Sequence, residues 1–129
     1  MKKNILFLVA GMIFSAASHA APGGGELVST EENKGVVPVR TANCELLGED
    51  IRITLSKDVA GGYYCDEGTT NQIAVTMCHP NGKKTEATNN NFYTMNSSGG
   101  KIDVENDAPC GATAAATKAK TSAETEPAS

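Results

Sequence analysis

The chain has 129 residues, 40% hydrophobic and 20% charged, with a formal net charge of −4, no Trp, three Phe and three Tyr. That length holds one small domain, and no run of about 18 apolar residues is present to cross a bilayer as a helix. The acidic balance argues against nucleic acid, whose phosphates demand a basic face, and against docking on anionic lipid.

At the amino end, Met1, Lys2 and Lys3 form a short positive start, and Ile5 to Phe14 is an apolar run too short to span. Ser18-His19-Ala20 then places small residues three and one before a cut. These features predict a cleavable signal peptide over residues 1–20, and Pro22 disfavours a cut one residue later. No Cys follows the cut to carry a lipid, so the mature chain is expected to be exported and released, to the periplasm or outside the cell. Losing Lys2 and Lys3 removes two positive charges and moves the net charge from −4 to −6. Such a balance maintains solubility and is compatible with a cationic partner.

Residues 21–35 begin Ala-Pro-Gly-Gly-Gly and show no sustained periodicity, which predicts a flexible leader. Residues 36–110 carry the structural signals. Ile51-Arg52-Ile53-Thr54-Leu55 alternates apolar and polar, sending Ile51, Ile53 and Leu55 to one face of a strand. Asp58 to Gly62 supplies a turn into a partner strand that begins at Tyr63-Tyr64-Cys65, with the two tyrosines on opposite faces. Asp66 to Asn71 is a polar loop, and Ile73-Ala74-Val75-Thr76-Met77 alternates again. Pro80-Asn81-Gly82 predicts a hairpin turn, because Asn and Gly tolerate positive φ, leading into a polar strand over Lys83 to Thr88. Short strands at Phe92 to Met95 and Lys101 to Glu105 flank the loop from Asn96 to Gly100. Residues 111–129 contain no Leu, Ile, Val, Phe or Met, so a disordered tail is predicted, its alanines permitting only transient helix. The expected fold is all-β: a small antiparallel meander or barrel.

Cys44, Cys65, Cys78 and Cys110 all survive signal removal, and an even number in a small exported chain is the pattern of a two-disulfide framework. They lack the close Cys-x-x-Cys pairs of tetrahedral zinc sites. With so few large apolar residues, each cross-link, worth ~2–4 kcal/mol, is a large share of the domain's stability. If the strands carrying Cys65 and Cys78 are antiparallel neighbours, those two cysteines sit at opposite ends of a hairpin. Cys44–Cys65 with Cys78–Cys110 is then the favoured pairing, and Cys44–Cys78 with Cys65–Cys110 the second.

Tyr64-Cys65-Asp66-Glu67-Gly68, Cys78 with Asn81-Gly82, and Pro109-Cys110 resemble the cysteine skeleton of a complement-control (sushi) module, a binding domain, which implies the crossed pairing. The Trp of that pattern is missing here, and the gap from Cys78 to Cys110 is longer. Tyr63-Tyr64-Cys65-Asp66-Glu67-Gly68, followed by Ile73 and Val75, resembles the Tyr-x-Cys-x-x-Gly start of periplasmic lysozyme inhibitors of the membrane-bound type, and implies a barrel. That resemblance covers about a dozen residues.

His79 adjoins Cys78, and a Cys-His pair can generate a thiolate nucleophile, but a bridged Cys78 has none to give. Ser56, His79 and Asp103 make a triad only by selection, and neither a Gly-x-Ser-x-Gly elbow nor a Gly-rich phosphate loop accompanies them. No enzymatic activity and no cofactor are expected. In Asp103-Val104-Glu105-Asn106-Asp107, strand alternation aims Asp103, Glu105 and Asp107 to one side, where carboxylates can ligate calcium or simply solvate an edge strand. The expected function is binding of a protein partner, with inhibition of a cationic enzyme fitting the charge. Tyr64, Asp66, Glu67, His79 and Asn81 are the candidate contact residues. A self-associating subunit of a pilus, matrix or other surface assembly is the second expectation, and a metal-dependent hydrolase the third.

Overall fold

The computed structural model describes residues 23–30, 32–84 and 88–125. The expected signal peptide lies outside the described residues. Seven strands form: β1 (Gly23–Val28), β2 (Val36–Val39), β3 (Ile51–Thr54), β4 (Ala60–Asp66), β5 (Gln72–Cys78), β6 (Asn90–Asn96) and β7 (Ile102–Ala108). A helix, α1 (Ala112–Glu124), follows, and a 3-10 turn at Thr41–Asn43 links β2 to β3. The strands build a five-stranded antiparallel sheet in the order β1-β4-β5-β6-β7 and a separate antiparallel pair, β2-β3.

Side-chain alternation sets the layers. Along β5, Gln72, Ala74, Thr76 and Cys78 are buried, while Ile73, Val75 and Met77 are half-buried on the other face. The first face carries α1, whose Ala119 and Ala123 cluster with Ala74 and Tyr64, and whose Ala115 packs with Cys78 and Phe92. On the opposite face, Leu27 and Tyr63 of the large sheet pack with Val39 and Leu55, joined by Val37, Ile53, Val75 and Met77. The two tyrosines therefore do face opposite ways, Tyr63 into this core and Tyr64 toward the helix.

The antiparallel β architecture and both bridges match the sequence expectation: Cys44–Cys65 and Cys78–Cys110 are the disulfides, which excludes the crossed pairing. Cys65 lies opposite Ile73 and Cys78 opposite Ala60, so these two cysteines do mark opposite ends of the β4-β5 hairpin.

Four local expectations need correction. Gly23–Val28 is a strand rather than part of a flexible leader. Its glycines let β1 approach β4 so closely that a Cβ on Gly24 would stand 2.6 Å from the Tyr64 ring, and Leu27 anchors it in the core. The chain then turns through Lys34 and Gly35, both at positive φ, into β2. Second, β3 pairs with β2 and not with the strand carrying Tyr63. Third, Ala60, Gly61 and Gly62 already belong to β4, so the turn before it is shorter than expected and centres on Asp58, at φ 63°. Fourth, residues 112–124 are helical instead of disordered. Alanine at every fourth position, Ala115, Ala119 and Ala123, is fully buried because α1 lies so close to the sheet at Gly62 that no space remains for larger side chains. The polar strand expected over residues 83–88 is represented by one bridge, Lys84 to Asn90, with residues 85–87 outside the described set.

Candidate functional site

The five candidate contact residues fall into two groups at opposite ends of the β4-β5 hairpin. At one end, Asp66 is buried and its carboxylate accepts hydrogen bonds from the backbone N–H of Gly68 (3.3 Å), Thr69 (3.3 Å) and Thr70 (3.1 Å), and from the Thr70 hydroxyl (2.9 Å). Burial opposes its charge, but these donors outweigh it and hold its pKa below the ordinary carboxylate value. Asp66 thus closes the β4-β5 turn. Glu67 accepts the backbone N–H of Glu45 and ties the loop before β3 to the sheet, while its Oε2 is buried without a hydrogen-bond partner among the described residues. Cys44, Cys65 and Glu67 lie close enough to suit a metal ion, but both sulfurs are committed to the disulfide. Tyr64 is half-buried beside α1, with the Lys120 ammonium 5.6 Å from its ring centroid; burial, then Glu124, raise its pKa.

At the other end, His79 Nδ1 accepts the Asn81 backbone N–H (3.0 Å), and the His79 carbonyl accepts those of Gly82 (2.8 Å) and the Asn90 side chain (3.2 Å). His79 and Asn81 therefore shape a turn, as Pro80-Asn81-Gly82 predicts. Six residue steps along β5, about 20 Å of strand, separate the two ends.

The three carboxylates of β7 do gather on one face, where a lysine meets two of them. Lys118 Nζ of α1 lies 2.6 Å from Glu105 Oε2 and 2.5 Å from Asp107 Oδ1, and 5.2 Å from the Phe92 ring centroid. Its side chain is only 12% exposed. Burial opposes the ammonium charge, but the bonds to Asp107 and Glu105 prevail and raise its pKa; the same bond lowers that of Asp107. An ammonium thus holds the position between Glu105 and Asp107 that a cation would take. Asp103 is exposed and has no ion-pair partner among the described residues; it borders a polar groove of about 530 Å³ between β6, β7 and α1.

The opposite face of the same two strands is apolar and open. Tyr93 pairs with Val104, and Met95 with Ile102. These four side chains are 47%, 53%, 53% and 63% exposed, respectively. The β2-β3 layer covers Leu27 and Tyr63 but leaves this block uncovered. Directly opposed side chains touch across antiparallel strands, so the four form one contiguous patch. Alternation along a strand says that Tyr93 and Met95 share a face, but not whether anything lies over it.

No protein-family model, curated protein or solved structure matches the chain.

Proposed function

We propose that this chain is an exported, non-catalytic binding protein that captures a cationic protein, and blocks it if it is an enzyme, through the β6-β7 end of its sheet. The observation that carries this reading is the exposed cross-strand block of Tyr93, Met95, Ile102 and Val104. An apolar cluster with Tyr and Met at its centre is the composition of an interface core, and isolated soluble domains rarely leave such clusters open without a use. The carboxylates of β7 lie on the other face of the same edge strand, where Asp103 has no ion-pair partner among the described residues, and with the net charge of −4 they favour a basic partner. Two disulfides fit the oxidising compartment that an exported chain enters, and among the described residues no helix is long and apolar enough to cross a membrane.

The test is calorimetric titration of the oxidised chain, residues 21–129, into a panel of basic secreted enzymes that includes a lysozyme, at low and at high ionic strength. Binding that weakens with salt, and falls at least tenfold in a Tyr93→Ser/Met95→Ser variant of unchanged melting temperature, is the expected result. Absence of binding across the panel, or equal binding by the variant, overturns the reading.

A subunit of a surface assembly is the second reading, supported by the outer edges of β1 and β7, which pair with no further strand among the described residues. Size-exclusion chromatography over a concentration series tests it: a stable monomer counts against assembly.

A further inference from the structure

The outer edge of β7 has a chemical pattern of its own. Among the described residues β7 is the last strand of the sheet and pairs only with β6, and its seven residues are exposed except for the half-buried Ala108. Backbone donors and acceptors along such an edge can be completed by another extended chain. Alternation divides its side chains by chemistry. Asp103 stands opposite Thr94 and Glu105 opposite Phe92, on the α1 face; Ile102 stands opposite Met95 and Val104 opposite Tyr93, on the apolar face. A strand added outside β7 would meet carboxylates along one of its faces and Ile102 and Val104 along the other.

We propose that β7 recognises an extended partner segment whose side chains alternate basic and apolar, and takes it up as a sixth strand of the sheet. The proposal rests on the reading of a cationic partner and specifies how that partner is held. Charge decides between the candidate occupants. A second copy of β7, paired antiparallel, would set carboxylates against carboxylates, and like charges placed opposite each other destabilise a strand pair. An alternating basic segment gains where a second copy loses, so the pattern both selects the partner and rejects self-pairing. Lys118 already compensates Glu105 and Asp107, which leaves Asp103 as the carboxylate with most to gain. Register also limits the site: Lys101 precedes the strand, and the irregularity between the Phe92 and Asn90 pairings interrupts the ladder beyond Glu105. The usable edge is Ile102 to Glu105. The opposite edge, β1, has no such pattern, since three of its six residues are glycine and its one carboxylate, Glu26, accepts a bond from the Thr113 hydroxyl (2.6 Å).

The experiment uses the oxidised chain, residues 21–129, and two synthetic seven-residue peptides of the same composition, one alternating Lys and Val, the other with its lysines and valines in separate blocks. Amide hydrogen exchange is followed residue by residue. The expected result is that the alternating peptide slows exchange of the outward amides of Ile102 to Glu105, that the block peptide does not, and that Asp103→Asn weakens the effect about two- to fivefold. Equal protection by both peptides, or binding of the alternating peptide without protection in β7, overturns strand addition. If basic enzymes bind through Tyr93 and Met95 while the alternating peptide leaves β7 unprotected, this proposal falls and the capture reading stands. If neither probe binds, both fall.

Discussion

Gly62 of β4 and Ala116 of α1 meet backbone to backbone: a Cβ built on Gly62 would lie 2.3 Å from both the Cα and the N of Ala116. The helix comes this close because neither side of the contact carries bulk. Gly62→Ala must therefore push α1 off the sheet, at a cost of ~1–3 kcal/mol, although alanine by itself suits a strand better than glycine. Ala116→Gly does not rescue it, since the clash is with main-chain atoms. Thermal denaturation of the single and double variants, with helix content followed by circular dichroism, checks both outcomes.

The two bridges fasten different layers. Cys110 stands two residues before α1 and is joined to the end of β5, whereas Cys44, in the segment between β2 and β3, is joined to β4. Replacing Cys78 and Cys110 by Ala is expected to cost ~3 kcal/mol and to speed amide exchange in α1 well before the central strands. The Cys44/Cys65 double replacement loosens the β2-β3 side instead. Exchange rates mapped by residue distinguish the two.

Acid and alkali act on different groups. The pKa values of Asp66 and Asp107 are lowered on folding, so between their folded and unfolded values the unfolded chain binds more protons. The stability they contribute is present above the ordinary carboxylate value, about 3.9, and is lost as pH falls through their lowered values. Lys118 is raised, so its contribution is complete below the ordinary lysine value, about 10.4, and is lost as pH rises through its own. Melting temperature measured against pH should fall at both extremes. Lys118→Met should reduce both losses, leaving at alkaline pH the part due to Tyr64, whose pKa is also raised on folding, while Asp66→Asn should reduce only the acid loss.

Neighbouring residues of β6 should respond oppositely to truncation. Phe92 is fully buried beneath Lys118 and Ala115, and Phe92→Ala is expected to cost ~3–5 kcal/mol. Met95→Ser, on the open face, should change stability by no more than about 0.5 kcal/mol, as expected of exposed sites. Denaturant titration of the two variants measures the difference. A large loss from Met95→Ser would mean that this residue works in folding instead of contact.

Much of the sheet was legible in the sequence, because β3 and β5 announce themselves by alternating apolar residues, the second half of β4 by Tyr63-Tyr64-Cys65 after a turn signal, and β6 and β7 by short segments on either side of the Asn96 to Gly100 loop. The pieces that escaped are those whose structure comes from their neighbours. Gly23, Gly24 and Gly25 have no strand preference of their own and become a strand by lying against Tyr63 and Tyr64. Pro38 masks the short β2. Ala115, Ala119 and Ala123 repeat at helical spacing, but a search for large apolar residues passes over a helix whose partner surface needs small ones. The candidate site was hidden for a related reason. Loop residues such as Asp66 and His79 draw attention as contacts, yet their hydrogen bonds turn inward to shape the turns that hold them. The exposed block at Tyr93 and Ile102 reads as interior until the extent of the β2-β3 layer is known.

Each disulfide joins cysteines that are neighbours along the chain, first to second and third to fourth. A polypeptide delivered amino end first into an oxidising space can close each bond as the next thiol emerges, with no wrong partner yet available to compete. Oxidative maturation should then proceed without an isomerase, and the first half of the molecule can be locked before the second has arrived.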